Sequence, residues 1–81
     1  MEQGPPASRT LDRGIRVVEA IAAAGDGATV AELSRFTGLD RAVIARLLDT
    51  LSDRCWLVRG PGDQRYRLGP TLLALVGSDP T

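Results

Sequence analysis

The sequence predicts a mainly α domain with a small β-hairpin, and three observations carry that expectation. From Thr29 to Leu51 the chain reads TVAELSRFTGLDRAVIARLLDTL, two short amphipathic segments about a glycine. Residues 10–24, ahead of it, repeat apolar side chains at helical spacing, while WLVR and RYRL, after it, alternate as short strands around a Gly60 to Gln64 loop. Two helices about a tight turn, followed at once by a hairpin, outline a winged helix-turn-helix: a three-helix core, a two-stranded wing and a short C-terminal helix.

Residues 1–9 hold Gly4, Pro5, Pro6 and Ser8 with little to bury, so a disordered N-terminal tail is expected before a domain at residues 10–77 and a C-terminal tail at 78–81. Thr10 is placed to cap a first helix running to about Ala24, with Asp12 as its first-turn anion. Leu11, Ile15, Val18 and Ala22, widened by Val17 and Ile21, give that helix a broad apolar face. Either the helix sits centrally and touches elements on two sides, or part of this face is a dimer surface. Gly25, Asp26 and Gly27 then end it in a turn.

Thr29 and Glu32 stand at the spacing of a capping box, in which the threonine oxygen accepts from the Glu32 N–H and the carboxylate accepts from the threonine N–H. Leu33 and Phe36 are expected to bury one side of this second helix, and Gly38 to stop it in a left-handed conformation. Asp40 caps the third helix, at about residues 40–53, whose Ile44, Leu47, Leu48 and Leu51 form one apolar stripe. With Ile44 turned inward, Ala42, Arg46 and Asp49 point outward and Val43, Ala45 and Thr50 lie on the flanks. A helical hairpin that only builds a core has the same outline. The strands that follow favour a helix able to lie in the DNA major groove.

Trp56 to Arg59 and Arg65 to Leu68 are the expected strands. Tyr66 and Leu68 face one way and Arg65 and Arg67 the other, an oily face and a cationic one. Arg59, Arg65 and Arg67 are thereby placed where a wing meets the DNA backbone, although a solvated strand face would look the same. Gly69 and Pro70 start a last helix, whose Leu72, Leu73, Leu75 and Val76 are apolar up to the terminating Gly77. A helix this oily either closes the core or marks a link to a further domain.

Composition excludes several classes of function. The chain has 81 residues, room for one domain with a marginal core that a partner would help. There is no histidine and one cysteine, Cys55, which leaves no disulfide, no cysteine-based zinc site and no assembled nucleophile and base, so no enzyme and no cofactor is expected. No apolar run approaches a membrane span, the start lacks a signal peptide's regions, and a lone thiol fits a reducing cytoplasm. Ten basic and ten acidic residues balance, but residues 1–40 carry four Arg against six acids and residues 41–81 six Arg against four. The positive half starts with the third helix. Every basic residue is Arg, which suits phosphate and guanine contacts, and a GC-rich genome gives the same bias.

Taken together, TLDRGIRVVEAIAA, TVAELSRFTGLDRAVIARLLDTL, WLVR and RYRLGPTLLALV resemble, in order and spacing, the N-terminal winged helix-turn-helix domain of the IclR family of bacterial transcription regulators. The resemblance covers residues 10–76, and RYRLGP is its most specific segment. It implies a dimeric double-stranded-DNA-binding module with the third helix in the major groove and the wing alongside. It also implies an effector-binding domain after the segment matching Leu72 to Val76, absent from this chain, where any ligand control would lie. The 81 residues are then an excised domain or a stand-alone module. Asp40 stands where the family has proline, Val43 and Ala45 where it has polar residues, and Cys55 where it has glycine at the turn from helix to strand. A left-handed Cys55 would cost roughly 1 kcal/mol.

The expected function is a DNA-binding transcription regulator domain. Arg41 and Arg46 would meet base edges or phosphates, Ala42, Val43 and Ala45 would lie against the groove, and Arg35, Arg59, Arg65 and Arg67 would pair with phosphates. A homodimer interface is expected at Leu11, Ile15, Val18, Leu72 and Leu75. The alternative is a winged-helix interaction or dimerisation module that has lost DNA readout, for which the balanced charge and the apolar Val43 and Ala45 speak.

Overall fold

A computed structural model describes residues 7–77; residues 1–6 of the expected N-terminal tail and the tail at 78–81 lie outside it. The element order is α1 (Arg9–Ala24), α2 (Val30–Thr37), α3 (Arg41–Asp53), β1 (Leu57–Arg59), β2 (Tyr66–Leu68) and α4 (Pro70–Gly77). The first helix starts two residues earlier than a Thr10 cap would give. Ser8, not Thr10, is the cap: its hydroxyl accepts from the Leu11 N–H at 3.1 Å and its carbonyl from Asp12 at 3.0 Å. Two capping residues stand two positions apart, and the earlier one gains an extra half turn of hydrogen bonds.

The capping box at α2 forms as expected, with Thr29 Oγ1 accepting from Glu32 N at 3.2 Å and Glu32 Oε1 from Thr29 N at 3.0 Å. Gly38 adopts φ 76°, and the turn after α2 is fastened from both sides. Ser34 donates its hydroxyl to Leu39 O and Thr37 to Leu33 O, both at 2.7 Å, while the Arg16 guanidinium reaches across from α1 to Thr37 O at 2.7 Å. Asp40 then caps α3 through the Ala42 N–H at 3.1 Å. So many short-range bonds around one turn fix the crossing of α2 and α3, and with it the direction α3 presents.

Val17 and Ile21 of α1, Leu33 of α2, Ile44 and Leu48 of α3, Leu57 of β1 and the loop residue Ala28 form the buried core. Leu47, Leu51, Tyr66 and Leu68 pack around it. Phe36 does not join them. It is 67% exposed, because the α1 residues it stands over are Ala20, Ala23 and Ala24, too short to enclose a phenyl ring. Ala22 is likewise exposed rather than part of an inward face.

At its C-terminus α3 ends in a Schellman arrangement: Trp56 N donates to Leu51 O and Cys55 N to Ser52 O, both at 2.9 Å, with Cys55 at φ 60°. The left-handed turn is therefore kept without glycine. Strand β1 pairs antiparallel with β2 in the register Leu57 with Leu68, Val58 with Arg67 and Arg59 with Tyr66. Both strands are one residue shorter than their sequence runs, since Trp56 and Arg65 serve the turns. A third strand-like contact comes from the α1–α2 loop, where Ala28 and Tyr66 exchange N–H···O bonds of 3.1 and 2.8 Å.

α4 buries nothing fully. Leu72 is half-buried, while Leu73, Leu75 and Val76 are exposed, so the last helix does not close the core, and Gly77 is its final residue rather than a terminator beyond it. Its root is nevertheless secured, by Gly69 N to Trp56 O at 2.7 Å and Thr71 N to Cys55 O at 3.0 Å.

Candidate nucleic-acid interface

The outward face of α3 is built by its own periodicity: burying Ile44 and Leu48 leaves Arg41, Ala42, Ala45, Arg46, Asp49, Thr50 and Asp53 exposed. The two arginines occupy the N-terminal half and Asp49 and Asp53 the C-terminal half. A helix that enters a groove by its N-terminal residues thus leads with cations and trails acids. Between the arginines the face is nearly flat, since Ala42 and Ala45 add only methyl groups. Asp40 keeps its carboxylate on the Ala42 N–H instead of projecting it. Val43 is half-buried at the edge of α3 that faces α1. Arg35 is exposed in the last turn of α2.

In the wing, Tyr66 and Leu68 share one face and Arg67 takes the other, the alternation read from the sequence. Alternation along paired strands puts Leu57, Leu68, Arg59 and Tyr66 on one face and Val58 with Arg67 on the other. Arg59 belongs to the face of Tyr66, with its Cζ 6.0 Å from the ring centroid. Among the described residues it has no carboxylate partner.

Arg65 and Arg67 are engaged within the chain. Arg65 Nη1 donates to Glu32 Oε1 at 3.0 Å and to Gly27 O at 3.2 Å, clipping the wing to the start of α2. Arg67 Nη2 stands 2.8 Å from Asp63 Oδ2 and 3.6 Å from Asp26 Oδ1. Asp63 also accepts from the Arg65 N–H at 3.0 Å, so one carboxylate organises the hairpin tip. The Thr29 N–H, with Arg65 beside it, holds the Glu32 carboxyl below its usual range, and the Arg67 guanidinium does the same for Asp63. Sequence reasoning missed these pairings. Arg65 and Glu32 are 33 positions apart, and no local pattern links them.

Of the expected set, Arg35, Arg41, Arg46 and Arg59 are exposed and without a carboxylate partner among the described residues. Of the expected dimer residues, Leu11 is 63% and Ile15 49% exposed, and with half-buried Val18 they border a groove completed by Leu51 and Trp56. Leu72 and Leu75 lie on α4, outside that groove. No helix of the described residues is long and apolar enough to cross a membrane, and no three of their His, Cys, Asp or Glu side chains are grouped to hold a metal ion.

Comparison with known proteins places these features. Residues 10–61 match the IclR helix-turn-helix domain. The chain is 28% identical over 74 residues to the DNA-binding transcriptional repressor YiaJ of Escherichia coli K12, a match covering 91% of this chain and 26% of the repressor. It superposes on an IclR transcriptional regulator from Alicyclobacillus acidocaldarius with a TM-score of 0.80 at 24% identity, over 86% of this chain and 28% of the other. The Agrobacterium tumefaciens repressor BlcR is similar over 83% of this chain and 27% of its own, with a TM-score of 0.71 and 30% identity. The chain thus spans about a quarter of the length of these relatives.

Proposed function

Because the chain belongs to the IclR helix-turn-helix domain family of DNA-binding regulators, we propose that it binds double-stranded DNA as a homodimer, with α3 in the major groove of each half-site. The observation that carries this reading is the N-terminal face of α3, where Arg41 and Arg46 are exposed, without an acidic partner among the described residues, around a methyl-surfaced strip that would let the helix lie close to the bases. Arg41 and Arg46 would reach base edges or phosphates, and Ala42, Val43 and Ala45 would contact thymine methyl groups. Arg35 and Arg59 would hold phosphates from either side. Arg65 and Arg67 would set the angle of the wing more than they contact DNA.

The dimer reading rests on exposed apolar surface. Leu11, Ile15 and Val18 beside Leu51 and Trp56 form one uncovered groove, and Leu72 and Leu75 sit on a helix without an enclosing partner. Pairing two copies through these surfaces would remove both from water. A regulator of this kind would work in the cytoplasm, on the chromosome.

The test is a salt-dependent anisotropy titration against the chain's own upstream DNA and an unrelated duplex. Tighter binding to the upstream piece with a log–log slope of several units supports the reading and counts phosphate contacts. The rival, an interaction module without DNA readout, is favoured by the internal pairing of Arg65 and Arg67. It predicts negligible binding to both duplexes at low salt.

A further inference from the structure

Three arginines, Arg16, Arg65 and Arg67, spend their donors inside the chain. Arg13 does not. It stands in the second turn of α1, far from the C-terminal end where the helix dipole favours a cation, so the dipole does not account for it. Nor does an ion pair, since no carboxylate lies within 4.0 Å of it among the described residues. Its position is specific: Thr10 and Arg13 of α1 and Val43, Arg46, Leu47 and Thr50 of α3 line one open groove. Two unpaired guanidiniums from different helices border the same concavity, at the edge of the α3 face that carries Arg46.

We infer that this groove receives a backbone phosphodiester of the DNA, with Arg13 as a contact on the first helix that works beside Arg46. The inference rests on the reading that α3 enters the major groove. That groove is about 12 Å wide and a helix with its side chains 10–12 Å across, so a group flanking α3 on the DNA side meets the phosphate ridge and not the bases. The chemistry of the lining agrees. Arg13 and Arg46 supply charged planar donors suited to phosphate oxygens, and among the described residues the Thr10 hydroxyl has no hydrogen-bond partner. Thr50 contributes shape only, because its hydroxyl is already donated to Arg46 O at 3.1 Å. Val43 and Leu47, both half-buried, supply the apolar part of the lining.

The experiment is an anisotropy titration of the chain against random-sequence duplexes over a range of salt, comparing the wild type with R13Q, R13K and, as an equal loss of charge elsewhere, R54Q. R13Q is expected to lower the log–log salt slope by about 0.9 and to weaken all duplexes alike. R13K is expected to keep the slope with weaker binding, and R54Q to keep both. A slope unchanged in R13Q, against a steep wild-type slope, overturns the inference and leaves the DNA-binding reading intact. Loss confined to particular sequences overturns it too, since a phosphate contact carries no sequence preference. A wild type with no salt-dependent binding removes the DNA reading and this inference with it. Were R13Q to melt early, R13K decides: a slope lost despite the retained charge counts against the phosphate role.

Discussion

Replacing Arg65 and Arg46 by alanine, one at a time, separates a strut from a contact. Arg65 gives Nη1 to the Gly27 carbonyl at 3.2 Å and to Glu32 Oε1 at 3.0 Å, with 34% of its side chain open to solvent. The ion pair is too open to water to be counted, whereas the bond to the carbonyl contributes about 1 kcal/mol. For a domain of this size that is roughly 4–8 °C in Tm. Arg46 has no such bond, so Arg46→Ala should leave stability within about 0.5 kcal/mol. On DNA the order reverses. Arg46→Ala should lower the salt slope by about 0.9 if it meets a phosphate, about 3.5-fold in affinity across a fourfold rise in salt, or relax preference at one position if it reads a base. Melting by circular dichroism and anisotropy titration on the same samples decide it. An Arg65→Ala protein that keeps its Tm yet loses salt slope would mean the guanidinium leaves Glu32 for a phosphate, and the strut assignment would be wrong.

The remaining predictions concern the frame and the assembly. A Cβ on Gly69 would collide with Cys55 O and stand 2.9 Å from Leu57 N and Trp56 C, all backbone, so Gly69→Ala should push the junction of β2 and α4 away from the turn that leads into β1 and cost about 1–3 kcal/mol, read as a lowered Tm. Glu32 and Asp63 both titrate below their ordinary values of 4.5 and 3.8 in the folded state, Glu32 chiefly through the Thr29 N–H and Asp63 chiefly through the Arg67 side chain. Their stabilisation is then full above the unfolded values and is lost as pH falls through the lower folded ones. Tm should drop on acidification below about pH 4.5, and Glu32→Gln should flatten part of that drop; an identical profile in the variant would refute the assignment. Ile15→Glu puts a charge on the exposed groove of α1 and should convert a dimer to a monomer in sedimentation equilibrium without unfolding it. An unchanged mass would move the interface elsewhere.

What the sequence makes legible here is local. The Thr29–Glu32 box, the Gly38 stop and the Asp40 cap each depend on residues within five positions, where spacing and bond geometry are nearly the same statement. The core stripe of α3 follows from period alone. Errors arise where a second element decides. Phe36 is apolar and correctly phased beside Leu33, yet its neighbours across the helix pair are alanines. Arg65 is spent on Glu32, an acid that only the fold brings near, and Arg67 on Asp63, four positions away across the hairpin tip, and on Asp26 of the α1–α2 loop. The Ser8 start shows the finest grain of the problem, two good caps competing over one turn.

The groove beside α1 also gives the molecule an optical readout. Trp56 is the only tryptophan in the chain and forms one wall of that groove with Leu11, Ile15, Val18 and Leu51. Every photon of indole emission therefore originates at a single half-open site. Anything that dries that wall shifts the spectrum to the blue, and anything that opens it shifts the spectrum back, without a label or a substitution.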